Sequence, residues 1–280
     1  MSTSLVLGFF DGIHKAHRAV INSAFKYSDN VILITFKQSP SVYFNKTEEY
    51  IFSRKDSIEK IKSLGVKEVV ELDFSQIAQI KAEDYIKSLI EQYHPKSIST
   101  GFNHTFGYKK EGTPLLLQEF SKKYNFIYES VAPIIENGEI ISSTLIKSYL
   151  KKGNVEYANI LLESNFSIEG TVLHGAKIGR TLGFPTANIN YPQNIVKLPY
   201  GVYCTEVNGQ KSVLNWGMKP TFNNTIEPVA EVHILGFEGD LYGKNIRVNI
   251  LKQVRKEQKF NNMEELKTQI KRDIDVCLKL

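Results

Sequence analysis

The hydrophobic rhythm of the chain breaks near Glu163–Asn165, and that break rules out one uniform architecture from end to end. Before it, strand-like and helix-like stretches alternate. Ser4–Leu7 is a short apolar run that leads straight into Gly8, and Val31–Thr35 is an unbroken β-rich run, as expected of a strand buried on both faces. Ser57–Leu64 sets Ile58, Ile61 and Leu64 on one helical face, with Gly65 where a C-terminal cap belongs. Ala82–Tyr93 carries Ala82, Tyr85, Ile86, Leu89 and Ile90 on one stripe. Thr113 and Pro114 read as an N-cap with proline in the first helical position, opening Leu115–Tyr124. Phe126–Val131 reads as a strand, and Ser143–Lys151 and Val155–Leu162 as helices separated by Gly153. Strands alternating with helices predict an α/β layered domain on a mainly parallel sheet.

After the break come short β-rich stretches divided by turn residues: Phe166–His174, Gly201–Val207, Lys211–Trp216, Ala230–Phe237 and Lys244–Leu251. Asn208-Gly209 between two of them is a hairpin signal. This predicts a small antiparallel β-barrel. One helix closes the chain, with Asn261 placed to cap it, Glu264 three residues on, and Leu266, Ile270 and Ile274 on one face. The predicted domains are 1–163 and 164–280, and 280 residues suffice for two separate cores.

With 42% hydrophobic and 23% charged residues, the composition is that of a soluble globular protein. No apolar run approaches the ~20 residues of a membrane span, and Met1 to Leu7 is too short for a secretory signal. The expected location is the cytoplasm. There Cys204 and Cys277 would be core or surface thiols, with no disulfide framework. A net charge of +5 suits anionic nucleotides, whereas the lack of any long Lys/Arg block argues against a nucleic-acid partner.

The first strand ends in Gly8-Phe9-Phe10-Asp11-Gly12-Ile13-His14-Lys15-Ala16-His17. Glycines at a strand end let backbone N–H groups approach a phosphate, and a following helix N-terminus adds positive potential. His14 and His17, three apart, can aim both imidazoles at one point on a helical turn; a metal pair or two surface histidines are the other readings. The stretch resembles the Gly-x-Phe-Asp-Gly-x-His-x-Gly-His motif of nucleotidylyltransferases, specifically the bacterial bifunctional riboflavin kinase/FAD synthetase family, with Ala16 in place of glycine. Thr35-Phe36-Lys37-Gln38-Ser39-Pro40 stands where that family often reads Thr-Phe-Asp-Pro-His-Pro. Gly101-Phe102-Asn103-His104-Thr105-Phe106-Gly107 resembles its flavin- and nucleotide-facing loop, with His104 for an aromatic residue. Ile141-Ser142-Ser143-Thr144-Leu145-Ile146-Lys147 resembles Ile-Ser-Ser-Thr-x-Ile-Arg, with Lys147 keeping the charge but not the planar fork.

The C-terminal half carries Gly170-Thr171-Val172-Leu173-His174-Gly175-Ala176-Lys177-Ile178-Gly179-Arg180-Thr181-Leu182-Gly183-Phe184-Pro185-Thr186-Ala187-Asn188-Ile189, which is similar to riboflavin kinase sequence almost throughout. Its glycines leave a loop able to cover phosphates, and Lys177 and Arg180 bring positive charge. Thr186 and Asn188, two apart on an extended segment, present oxygens on one face, as a hard Mg²⁺ (or Mn²⁺) carrying ATP requires. Asn215-Trp216-Gly217-Met218-Lys219-Pro220-Thr221-Phe222 resembles the family's Asn-x-Gly-x-x-Pro-Thr-Phe; Trp216 either packs near the flavin or fills the barrel. Along Ala230–Leu235, alternation puts Glu231, His233 and Leu235 on one face, with the Glu231 carboxylate pointing into a barrel mouth. Asp240-Leu241-Tyr242-Gly243, Arg255 and Phe260 complete the resemblance.

The resemblance, from Leu5 to about Asp273, implies a Rossmann-like FMN adenylyltransferase domain followed by a riboflavin kinase-like barrel. It implies ATP as co-substrate and riboflavin, FMN and FAD as substrates or products. Glu231 would be the kinase base, and His14 and His17 the catalytic pair of the first site. Gly8, Phe10, Asp11, Gly12, Ser142, Ser143, Thr144 and Lys147 would hold ATP phosphates there; Gly175, Lys177, Gly179 and Arg180 would do so in the second. Asn103, Phe106 and Arg255 would face flavin, although a surface salt bridge is the other reading of Arg255. Thr186 and Asn188 would hold the metal. No membrane partner is implied, and the expected state is a monomer or weak homo-oligomer. The departures at Ala16, Lys37 to Ser39, His104 and Lys147 leave open a riboflavin kinase with a degenerate first domain. A non-enzymatic flavin-binding regulator predicts a damaged kinase site, yet Thr186, Asn188 and Glu231 are all present.

Overall fold

The computed structural model describes residues 2–174, 179, 182–220 and 226–280. Contacts divide the chain into two compact units, Met1–Tyr50 with Arg54–Ser143, and Ile51–Ser53 with Thr144–Leu280.

The first unit is a parallel five-stranded sheet in the order β3-β2-β1-β4-β5, built from β1 (Thr3–Leu7), β2 (Asn30–Phe36), β3 (Glu68–Leu72), β4 (Pro95–Gly101) and β5 (Ile127–Val131). Around it lie α1 (Lys15–Ala24), α2 (Pro40–Tyr43), α3 (Arg54–Ser63), α4 (Phe74–Ile77), α5 (Ala82–Tyr93) and α6 (Pro114–Tyr124). Period-two alternation in the apolar strands serves two cores at once. Leu5, Leu7, Ile32 and Ile34 pack with α5 and α6 residues such as Ile86 and Leu117. Val6, Val31 and Leu33 pack with Val20 and Ile21 of α1 and Ile61 of α3. Strand order reverses between β1 and β4, so the loops leaving the C-terminal ends of these strands diverge and leave a crevice, the usual ligand position in such sheets. A small hairpin, β6 (Ile135–Glu136) and β7 (Glu139–Ile140), follows.

In the second unit, α7 (whose Ser143–Lys151 span begins at the division) and α8 (Val155–Leu162) precede a closed barrel ordered β10-β11-β12-β9-β8-β13. Its strands are β8 (Phe166–Leu173), β9 (Ala187–Asn190), β10 (Gly201–Val207), β11 (Gln210–Pro220), β12 (Ile226–Ile234) and β13 (Asn245–Lys256), all pairing antiparallel. Asn208 and Gly209, both at positive φ, form the tight turn between β10 and β11. Tyr203, Leu214, Trp216, Ala230 and Val232 are all at most 1% exposed and fill the barrel. Alternate residues point the other way, toward α9 (Met263–Leu278), which packs on β10, β11 and β13.

Two expectations are corrected here. Asn262, not Asn261, caps α9: its side chain accepts from Glu265 N–H, and the Glu265 carboxylate reaches back to Asn261 N–H at 3.0 Å, so the capping box sits one residue later. Cys204 and Cys277 are joined in a disulfide with Cα atoms 5.1 Å apart. Strand alternation turns Cys204 toward α9, and helical periodicity sets Cys277 one turn beyond buried Asp273, facing it.

Candidate active sites

In the first unit the site begins where β1 ends. Gly8 N–H donates to the Ile34 carbonyl at 3.2 Å, and the chain then turns sharply through Gly12 (φ 96°) and Ile13 (φ 47°). A β-branched residue in the left-handed region stores strain on the order of 1–3 kcal/mol, a cost found at sites whose shape the surroundings dictate. Phe10, Asp11, Ile13 and His14 are buried. His14 is the N-cap of α1: its Nδ1 accepts from His17 N–H at 3.3 Å, which leaves the proton of the neutral ring on Nε2. That nitrogen lies 3.5 Å from Ser143 Oγ, whose hydroxyl donates to the Asp11 carbonyl at 2.7 Å. The rings of His14 and His17 stack with centroids 3.6 Å apart, and Phe10 meets His17 edge-on. Burial lowers His14 to about 4, and burial together with the neighbouring His14 holds His17 well below the usual imidazole range. Both rings are therefore neutral at pH 7. Ala16 occupies the second position of α1 with no positive φ, so the methyl causes no backbone strain.

Ser143 is thus brought to His14 and Asp11, while Thr144 and Lys147 lie on α7 in the second unit. Asn103 sits exposed in the loop after β4. Phe106 is 8% exposed and packs against Tyr85 and His104, shaping that loop from beneath; Phe102 is its exposed ring. Sequence reasoning missed an aromatic group beyond β2 and β3, where Phe74 meets Phe36, Tyr43 and Phe44 edge-on. Tyr43 and Phe44 are exposed there, and the run of rings Tyr43-Phe44 was the available signal.

In the second unit the strand register sets one row of side chains across the barrel wall. Arg255 of β13 pairs with Val202 of β10, Val202 with Asn215 of β11, Asn215 with Glu231 of β12, and Glu231 with Asn188 of β9. Directly paired residues point to the same side of a sheet. The side opposite the packed interior faces α9, so Glu231 does not enter the barrel mouth, as alternation alone suggested; it lies on the outer wall, roofed by the helix. Trp216, one residue from Asn215, faces inward and packs on Tyr191 at 5.1 Å, so it fills the barrel. The Arg255 ion pair is real but largely enclosed: its partner is buried Asp273 at 3.0 Å.

A cavity of about 340 Å³ lies between this wall and α9, lined by Gly179, Phe184, Thr186, Asn215, Glu231, His233 and Arg255 with Leu266, Ile270 and Asp273 opposite. A second, of about 500 Å³, is lined by Val172, Pro185, Thr186, Phe237, Leu241 and Tyr242. Thr186 borders both. At Gly179 a Cβ would meet the Phe184 carbonyl at 2.4 Å and Thr186 Oγ1 at 3.1 Å, so the backbone of Gly179 can lie this near Thr186 only without a side chain. His233 Nδ1–H donates to the Pro185 carbonyl at 2.7 Å and so ties β12 to the segment carrying Thr186. His174 stacks on Tyr242 at 3.8 Å. Gly175, Lys177 and Arg180, together with Thr221 and Phe222, lie outside the described residues.

A parallel sheet with a strand-order switch point in one unit and a closed barrel flanked by two cavities in the other define the class: a two-domain protein with a candidate small-molecule site in each unit. Comparison with known proteins agrees half by half. Residues 1–145 match the FAD synthetase family model and residues 162–280 the riboflavin kinase model. The bifunctional riboflavin kinase/FMN adenylyltransferase of Buchnera aphidicola subsp. Acyrthosiphon pisum is 35% identical over 293 residues, covering 99% of this chain and 93% of its own. That of Bacillus subtilis is 33% identical over 284 residues, covering 96% and 89%. The chain belongs to the bifunctional riboflavin kinase/FMN adenylyltransferase family. A solved Streptococcus pneumoniae structure titled a macrolide-efflux protein shares the fold, with a TM-score of 0.91 and 31% identity over 100% of this chain and 94% of its own. Among the described residues here, no helix is long and apolar enough to cross a membrane.

Proposed function

We propose that this chain phosphorylates riboflavin to FMN in its C-terminal domain and adenylylates FMN to FAD in its N-terminal domain, taking 164–280 and 1–163 as the two catalytic domains. The observation that carries the kinase reading is the single row Arg255, Val202, Asn215, Glu231 and Asn188 beside a cavity of about 340 Å³.

Riboflavin occupies the cavity under α9, where apolar Leu266 and Ile270 suit a flat ring system and Arg255 and Asn215 suit its polar groups. ATP occupies the neighbouring cavity and the glycine loop, so the γ-phosphoryl group meets the 5′-hydroxyl near Thr186, which borders both. Glu231 takes the hydroxyl proton as that oxygen bonds to the γ-phosphorus and the bond to ADP breaks. Thr186, Asn188 and Glu231 form a hard-oxygen donor set that fits Mg²⁺, with Thr186 and Asn188 as its ligands. When bound, the ion neutralises phosphate charge.

In the first unit an FMN phosphate oxygen attacks the α-phosphorus of ATP and pyrophosphate leaves. The neutral His14 and His17 rings donate N–H to the charge that builds there, and the backbone from Gly8 to Gly12 cradles the phosphates. Ser142 and Ser143 supply further contacts to them. Asn103 and the loop shaped by Phe106 receive the flavin, and the rings of Tyr43 and Phe44 offer it a stacking surface. The enzyme works on diffusible substrates as a cytoplasmic monomer or weak homo-oligomer, without nucleic acid.

Incubation with ATP and Mg²⁺, once with riboflavin and once with FMN, followed by chromatography of the flavins, tests this. FMN from the first and FAD from the second support both activities. FMN alone leaves a riboflavin kinase with a degenerate first domain, and neither product overturns the proposal.

A further inference from the structure

Asp273 is a carboxylate on the inner, otherwise apolar face of α9, and it is only 2% exposed. A buried carboxylate is costly unless paired and hydrogen-bonded, so helix packing alone would favour an apolar residue here. Its oxygens are fully engaged. Arg255 Nε–H points between both of them at 3.0 Å, Arg255 Nη2 lies 3.0 Å from Oδ2, and Gln269 Nε2 donates to Oδ1 at 2.9 Å.

Arginine carries five N–H donors in one plane. Asp273 takes the Nε–H, shared between its two oxygens, with Nη2 in ion-pair range of Oδ2 at 3.0 Å, and the Lys256 carbonyl takes one Nη1–H at 3.2 Å. The second Nη1–H and the Nη2 donors remain, on a side chain that lines the cavity in the same row as Asn215 and Glu231. The Nε–H shared between both oxygens, with Nη2 close beside Oδ2 and Nη1–H on the Lys256 carbonyl, fixes the plane of the guanidinium, which a single contact to a flexible side chain would not. Phe260 packs against it with the ring centroid 5.6 Å away. The carboxylate is itself anchored: one turn further along α9, Cys277 is bonded to Cys204 of β10, the strand beside β13.

We propose that Asp273 is a positioning residue for riboflavin phosphorylation: it holds Arg255 in the plane where its remaining N–H donors meet the acceptor-bearing edge of the flavin. Asp273 does not touch substrate; it acts through Arg255. The proposal rests on the assignment of this cavity to riboflavin.

A mutant cycle with Arg255→Gln, Asp273→Asn and the double variant tests it, reading riboflavin KM and kcat, the FMN-to-FAD rate of the same protein, and riboflavin affinity. Energy transfer from Trp216, the only tryptophan in the sequence, to bound flavin gives that affinity without turnover. Arg255→Gln raises riboflavin KM. Asp273→Asn raises it by tenfold or more, on the scale of a lost charge-assisted hydrogen bond, with kcat and FAD formation little changed. In the Arg255→Gln background, Asp273→Asn adds nothing to KM, and that double variant buries no unpaired charge, so it carries the comparison if the single variant misfolds. A lowered kcat with unaltered KM would mark Asp273 as merely structural and overturn the proposal, as would an equal rise of KM in both backgrounds, with the cavity assignment left standing. An unchanged KM in Arg255→Gln would overturn the cavity assignment and the proposal together.

Discussion

At the scale of single residues, the first site depends on a histidine kept from charging. His14 Nδ1 is committed to its own helix cap, and the ring is buried, so the proton of an imidazolium has no solvated place to reside. With its folded value lowered to about 4 against 6.5 unfolded, the unfolded chain binds the proton first as pH falls. The stability held by the neutral ring is therefore complete above pH 6.5 and lost progressively down to about 4. Thermal unfolding from pH 7.5 to 4 is expected to show a shallower loss in His14→Gln than in the native chain; parallel pH profiles would refute this. The sequence placed His14 and His17 together correctly. It did not reveal the cap or the stacked rings, because both depend on the turn at Gly12 and Ile13, where a β-branched residue takes a conformation its local preference opposes.

At the scale of elements, α9 is the decisive piece, because it forms one wall of the cavity proposed for riboflavin. The disulfide closes a separation of 73 residues, for which the chain-entropy model gives about 4.4 kcal/mol. Cys277→Ser, or a reductant added to the native chain, is expected to lower the barrel unit's unfolding temperature and raise riboflavin KM. Identical melting curves with and without reductant would contradict a stabilising role. Asn262→Ala is expected to cost about 1 kcal/mol, the usual loss for a helix N-cap, whereas Asn261→Ala costs less; chemical denaturation of the two variants measures it. Alternation along β12 correctly separated Glu231 and His233 from Val232 and Ile234. Which face was inside could not be read from alternation alone, since it depends on closure of the barrel and on the helix laid over its outer wall. The cysteine pair was hidden for the same reason: each half lies in a regular element, and only the docking of α9 brings them together.

At the scale of the molecule, the order of motifs along the chain already separated a phosphate-binding α/β half from a flavokinase-like barrel. The central parallel strands and the Asn208-Gly209 turn were legible because local pattern and tertiary burial agree there. The grouping of residues 144–162 with the barrel unit was not, since a helical period reports an apolar face but not its neighbour. The two reactions have separate machinery, so they should be separable by single substitutions. The direct test is to assay Glu231→Gln and His14→Asn side by side, each with ATP and Mg²⁺ and with riboflavin or FMN, separating the flavins by chromatography. Glu231→Gln is expected to stop FMN formation while FMN is still converted to FAD at the native rate. His14→Asn is expected to form FMN normally and to slow FAD formation by ~10² or more, the scale of losing a preorganised donor. Loss of both reactions in either folded variant, or of neither, would contradict two independent sites built on these residues.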